Sequence, residues 1–114
     1  MDAVTLQAIL DGYPEEMVFV GPDHTIRYMN RFAVEKYARF GGAALVGRSI
    51  FACHNAHSGE VMRQAWARFQ AGEDDIVVGQ NELKRTHMRA VRDDQARLLG
   101  YYEYFRYTAA EPSA

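Results

Sequence analysis

Cysteine is almost missing from this chain: Cys53 is the single one among 114 residues. An internal disulfide is thereby excluded, and so is covalent c-type haem attachment, which needs a Cys-x-x-Cys-His run. Long apolar runs are missing too, so no membrane-spanning helix is expected. Neither sign of charge dominates: a formal net charge of −2 gives no general attraction to nucleic acid or to a membrane surface. The N-terminus lacks a signal-peptide pattern, which reads as a cytoplasmic protein. Repeats, low-complexity segments and interdomain linkers are all absent. No large insertion interrupts the chain, which speaks against an elaborate enzyme. No kinase, cyclase or DNA-binding segment is recognisable, so any signal must pass to an effector domain or partner.

What remains is a soluble globular composition, 48% hydrophobic and 25% charged. The length fits one domain over residues 1–114, with a core that needs no staples. Asp2 is placed to cap a short helix carrying Val4, Leu6, Ile9 and Leu10. Gly12 and Pro14 end it, which makes residues 1–12 an N-terminal cap helix. Its apolar residues need a cover, either the domain's own sheet or a second subunit. Met17–Val20 and Thr25–Met29 read as a hairpin around the turn Gly21-Pro22-Asp23-His24.

Asn30 is a good N-cap for a second helix, whose Phe32, Ala33, Tyr37 and Phe40 recur near helical spacing until Gly41-Gly42. Ser58 is expected to cap the clearest helix. Its Val61, Met62, Ala65, Trp66 and Phe69 form one apolar stripe, and Gly72 ends it. Three strands follow: one begins at Ile76, one runs from about Leu83 to Arg92, and one from about Leu98 to Tyr107. Gly79–Glu82 and Asp93–Ala96 are the turns between them. Residues 108–114 read as a disordered tail. Strand pairs around a helical middle give an α+β class: a five-stranded antiparallel sheet with helices packed on one face.

Chemistry concentrates in one stretch, Gly47 to Ser58, which holds Cys53, His54 and His57. Imidazole and thiolate both bind iron, so haem is the coloured cofactor these residues point to. A zinc site from the three lacks a fourth ligand. A Cys-His nucleophilic pair needs two side chains that meet, which loop neighbours seldom do, so no enzyme is expected. The bland reading treats Cys53 as a small hydrophobe and the histidines as backbone partners. Tyr28, Phe32, Phe51, Met62 and Trp66 are candidates to line a helix–sheet cavity, as are Met88, Tyr102 and Tyr104; otherwise they are core. Tyr28, Tyr102 and Tyr104 are the candidate hydrogen-bond donors to a polar ligand or to His54. His24 and His87 are read as solvent or interface residues. Phe19, Val91, Tyr101 and Phe105 are assigned to an outer sheet face that a second copy or another protein covers.

The order of elements, with its residues, resembles a PAS sensory domain over about residues 5–107. Ile26-x-Tyr28-x-Asn30, Val46-Gly47-Arg48, Phe69-x-x-Gly72, Val91-Arg92-Asp93 and Leu99-Gly100-x-x-Glu103 carry the resemblance. Gly47-Arg48-x4-Cys53-His54-x3-Ser58 and Arg89-Ala90-Val91-Arg92-Asp93 further resemble PAS modules found beside hemerythrin-like iron domains. Asn55 stands where those modules often carry proline. The resemblance implies a sensory, signal-transducing module. It would bind a small ligand, or sense redox state, between the central loop, the long helix and the last two strands. It would signal through homodimer or partner contacts. A cofactor-free interaction and dimerisation module is the alternative.

The resemblance leaves the cofactor open. Flavin-type light sensors resemble Gly-x-Asn-Cys-Arg-Phe-Leu-Gln here, and Gly47–Cys53 lacks the flavin-ring amides. Photoactive yellow proteins place one cysteine near this spot, but Ala33 stands where their acidic chromophore partner lies. Oxygen-sensing haem PAS domains place their histidine near Val61 or Met62, inside the long helix.

Overall fold

The computed structural model describes residues 1–107. The tail expected at 108–114 lies outside them. Helix α1 (Ala3–Gly12) is capped by Asp2, whose carboxylate accepts from the Thr5 amide at 2.8 Å. It buries none of its residues, and Val4 and Ile9 are 80% and 54% exposed. Strands β1 (Val18–Val20) and β2 (Ile26–Met29) form the hairpin. Helix α2 (Arg31–Lys36) follows, capped by Asn30. Three 3-10 turns (Ala38–Phe40, Gly42–Leu45 and Ile50–Cys53) lead into helix α3 (Ala56–Gln70). Strands β3 (Asp75–Gln80), β4 (Lys84–Arg92) and β5 (Leu98–Tyr107) close the fold. The sheet order is β2-β1-β5-β4-β3, antiparallel throughout. Among the described residues, no helix is long and apolar enough to cross a membrane.

The core lies between this sheet and the helical middle. Met62, Ala65 and Phe69 of α3 and Ala33 of α2 meet Val20, Ile26, Met29, Ile76, Met88 and Tyr101. The apolar stripe expected on α3 supplies three of these. Its cap differs from expectation. Asn55, not Ser58, takes the position, and its side chain accepts from the Ser58 amide at 2.8 Å. Either residue type can cap; the helix starts three residues earlier because Asn55 has the extended backbone that a cap needs. Helix α2 is shorter than expected. It gives way at Lys36 to 3-10 turns, and Gly41, at φ 128°, closes the first of them. Strand β3 continues through Gly79 to Gln80 across a bulge, so the turn shrinks to Asn81 and its neighbours.

Two side chains fasten the layers. Asn30 is fully buried. Its Oδ1 accepts from the Met17 and Ala33 amides at 3.0 Å, and its Nδ2 donates to the Leu10 and Glu15 carbonyls at 3.1 and 2.8 Å. One amide thus caps α2 and ties α1 to β1. Arg92 donates to the Phe69 and Glu73 carbonyls and to Asp74, locking the C-terminus of α3 to β4.

The outer sheet face departs from expectation at two residues. Tyr101 is buried on the inner face against Trp66 and Phe69. Phe105 keeps the same strand phase, two positions on from Glu103, and borders a groove with Phe32 and Lys36 of α2. His87 is also corrected. It is buried on the outer face, its Nδ1 is 2.6 Å from Asp75 Oδ1, and its ring stacks on Tyr104. The Tyr104 hydroxyl donates to the same carboxylate, and Arg89 reaches it at 3.2 Å. Desolvation pushes the Asp75 carboxyl up, but bonds from Tyr104, His87 and Arg89 outweigh it and hold it below its usual range.

A candidate ligand cavity between the central loop and strands β1 and β5

The central loop is positioned by β2. Ile26 donates to the Arg48 carbonyl at 2.9 Å, Gly47 to the Ile26 carbonyl at 2.7 Å, and Ile50 to the His24 carbonyl at 2.8 Å. Residues 47–50 thus run along β2 like an extra edge before the Ile50–Cys53 turn begins. Ser49 starts that turn by accepting from the Phe51 amide at 3.2 Å. Ile50 enters the core. At the end of the turn the His54 ring folds back, with Nδ1 2.8 Å from the Ile50 carbonyl. A carbonyl can only accept, so the proton sits on Nδ1 and the Nε2 lone pair is free in the neutral ring.

His24 lies under this loop, not in solvent. Its φ of 62° is left-handed, and its ring sits 4.8 Å from Phe51, 5.4 Å from Trp66 and 5.7 Å from Tyr101. Nδ1 is 2.8 Å from the Tyr101 hydroxyl. Burial, then the nearby Arg63 guanidinium, lower the His24 pKa, while Asp23 opposes them. Because the folded value is depressed, the neutral ring's contribution is present above the ordinary 6.5 and lost as pH falls below it. Urea midpoints of the wild type and of His24→Gln should therefore converge between pH 7.5 and about 5. Parallel curves would show that His24 carries no such linkage.

Between the loop and the sheet lies a cavity of about 70 Å3 that opens to the surface. Val18 and Val20 of β1, Ile50, Met62 and Tyr101 form its apolar side, and Glu16, His54, Tyr102 and Glu103 complete it. Burial is the main cause that raises the Glu103 carboxyl. Glu16 adds to the rise, and His54, Lys84 and Lys36 oppose it. Lys36 pairs with Glu16 Oε1 at 3.1 Å, while Oε2 is buried without a hydrogen-bond partner. The Tyr37 hydroxyl is pushed up by burial and then by this same carboxylate.

Of the residues singled out from sequence, His54, Met62 and Tyr102 border this cavity. Tyr102 does so from β5 while its ring lies 6.3 Å from that of Tyr104. His57 and Met88 line a neighbouring cleft that shares His54, Met62 and Glu103. The exposed Cys53 opens instead into a separate cleft with Tyr37, Phe40, Leu45 and Arg48, which His54 also borders. Phe51 and Trp66 pack around His24. Phe32 is largely exposed at the groove beside Phe105.

Tyr28 and Tyr104 donate to Asp11 and Asp75 on the far face, so neither serves a cavity ligand or His54. Burial and then Asp11 push the Tyr28 hydroxyl up to about 12. The site is built on β1 more than on β4. Glu16, Val18, Val20, Ile50 and Glu103 escaped the sequence reading. Only Glu103, an acid at an inward strand position, carries a signal that could have found it.

No group of three histidine, cysteine or acidic side chains among the described residues could hold a metal ion. Cys53, His54 and His57 do not converge on one iron position, and about 70 Å3 is far less than a tetrapyrrole occupies. In this arrangement the residues do not fit haem.

A small helical middle packed on a 2-1-5-4-3 sheet is shared with known structures. A crystal structure of a C-terminal domain from Streptococcus mutans superposes with a TM-score of 0.74. It is 21% identical in sequence, and the match covers 94% of this chain and 85% of that one. At that identity the likeness shows the fold alone. No curated protein matches. The family model described as "PAS domain" matches residues 6–106, which include every wall of the cavity and every strand but the last residue of β5. With the five-stranded sheet and its helix-covered face, that match places the chain in the PAS domain family.

Proposed function

We propose that this PAS domain is a sensory module that takes a small ligand in the cavity between the central loop and strands β1 and β5. The carrying observation is the position of Glu16. It borders the cavity and lies in the link between α1 and β1, where the Glu15 carbonyl is held by Asn30. The same Asn30 amide holds the Leu10 carbonyl at the end of α1. An occupant that contacts Glu16 therefore acts one residue from the anchor of α1. Val4 and Ile9 on that helix are exposed apolar residues that a second copy would cover. Occupancy would bias the α1 contact, and with it a homodimer or an effector, by its differential affinity for the two arrangements. The reading is of a cytoplasmic binding module, not a catalyst: His54 shares a cleft with Cys53, but its Nδ1 is taken by the Ile50 carbonyl and no third group orients the pair.

The test uses methyl nuclear magnetic resonance of the full chain with 1-propanol as probe. The Val18, Val20 and Ile50 methyls are expected to shift with the probe, and Ile50→Phe, which fills the space, to abolish the shifts. Overpacking of this kind costs about 1–3 kcal/mol, so the variant should still fold. No methyl shift at saturating probe would overturn the cavity as a site. The exposed apolar face of α1 favours the alternative, a cofactor-free dimerisation module. Sedimentation separates the two: self-association identical in the wild type, with and without probe, and in Ile50→Phe supports the alternative.

A further inference from the structure

The chemistry of the cavity wall narrows the ligand, given the cavity reading above. Three polar side chains of the wall, Glu16, Glu103 and His54, have acceptor atoms to offer an occupant. Glu16 presents Oε2, which is buried and makes no hydrogen bond, with Lys36 on Oε1 and the Tyr37 hydroxyl near the same carboxylate. The Glu103 carboxyl faces Met88 across the strand pair and forms no ion pair among the described residues. His54 offers a lone pair, because its Nδ1 proton is spent on the Ile50 carbonyl. The Tyr101 hydroxyl is held by His24, and the Tyr102 ring stands beside Tyr104. Val18, Val20, Ile50 and Met62 supply the apolar remainder.

Such a wall discriminates by what it lacks. A carboxylate ligand would meet two acids at close range, and a neutral hydroxyl offers one proton to several acceptors. An ammonium or amidinium brings several donors and a compensating charge, and its bonds to carboxylates are the stronger, charge-assisted kind. Size sets the other limit. At roughly 10–15 Å3 per water-sized group, the space takes about five such groups. We propose that the cavity recognises a small organic cation of a few non-hydrogen atoms, through Glu16, Glu103 and the His54 lone pair.

Charged groups around Glu103 define the pH behaviour. Burial, and then Glu16, keep its proton on, while Lys84, Lys36 and His54 in its charged form favour the anion. A bound cation adds to the second set, so binding should release a proton from Glu103, and affinity should rise with pH while the ligand stays protonated.

The experiment titrates the full chain with n-propylammonium, 1-propanol and propionate, following the Val18, Val20 and Ile50 methyls. n-Propylammonium should bind at least tenfold more tightly than 1-propanol, and propionate not at all. Glu103→Gln and Glu16→Gln should each bring the amine to within about threefold of the alcohol measured in the same variant. Two variants guard against one that fails to fold. Equal affinity for amine and alcohol in the wild type would overturn the cation assignment and leave the cavity reading intact. Amine affinity unchanged in both variants would overturn it as well. If none of the three probes shifts the methyls, the cavity reading falls and the assignment falls with it.

Discussion

Asn30→Ala is expected to cost about 3 kcal/mol of folding stability, on the order of 1 for the lost cap and the rest for stranded backbone partners. The side chain is fully buried and makes four short bonds to four different backbone groups. Alanine leaves the Met17 and Ala33 amides without their acceptor, and the Leu10 and Glu15 carbonyls without their donor. The Leu10 carbonyl keeps its bond from the Tyr13 amide, so the Met17 and Ala33 amides and the Glu15 carbonyl carry most of the loss. A loss of this size lowers the midpoint of thermal unfolding by roughly 10–20 °C in a domain of about 100 residues. Asn30→Asp separates the roles, since it keeps the acceptor and deletes the donor. It should keep the α2 cap and fall between wild type and alanine. A chemical-denaturation loss under 1 kcal/mol for Asn30→Ala would mean that water replaces the network, and that Asn30 does not fix Glu16. If the network holds as described, the folded fraction of Asn30→Ala should also bind the cavity probe less tightly, because its Glu16 anchor is gone.

That residue shows where sequence reading succeeds and where it stops. Asn30 was legible as a helix cap because capping is local: the acceptor and the amide it meets are three residues apart. Its bonds to Leu10 and Glu15 span 20 and 15 residues, and no periodicity encodes them. The sheet was legible for the same reason. Asn81 and Asp93 close their turns by bonds two to four residues long. Alternation along β4 and β5 assigns each residue a face only once one residue's face is known. Tyr101 and Phe105 were placed outside because five aromatics on one strand give no such reference. Register settles it: Met88, wholly buried, pairs with Glu103, which turns Tyr101 and Phe105 inward with it.

The histidines follow the same logic. His54 was singled out by its place beside Cys53 and His57 in one stretch, but its tautomer depends on a loop carbonyl four residues back. His24 and His87 are held by Tyr101 and Asp75, 77 and 12 residues away. A turn or strand position says nothing of such partners. The cavity itself is a failure of packing, and unfilled volume leaves no mark on composition or spacing.

Gly100→Ala is expected to be the more severe change, because no side-chain rotation can relieve it. Gly100 adopts φ 152°, a conformation that costs an L residue about 1–3 kcal/mol. A Cβ there would overlap the Val20 carbonyl oxygen and lie 2.8 Å from the Phe19 ring. The ring is a side chain and can turn away. The carbonyl is backbone and belongs to Val20, which pairs with Tyr101 at the β1–β5 crossing. Relief requires β1 to move off β5, and β1 is only three residues long. We expect a loss of at least 3 kcal/mol, with strain and separated strands both contributing. Phe19→Ala in the same chain should recover only a small part, because it removes the ring and leaves the carbonyl. Amide exchange then locates the damage: protection should fall in β1 and β2 well before β3 and β4, which pair independently of Gly100. The consequence for the site is direct. Val18 and Val20 on β1 and Tyr101 and Glu103 on β5 lie side by side and form the sheet side of the cavity. A protein that parts these strands loses the pairing of Glu16 with Glu103 across the opening. Gly100→Ala should therefore abolish n-propylammonium binding under conditions where the chain is still mostly folded. Near-native stability with intact binding would show that the β1–β5 crossing is loose, and that the cavity does not depend on it.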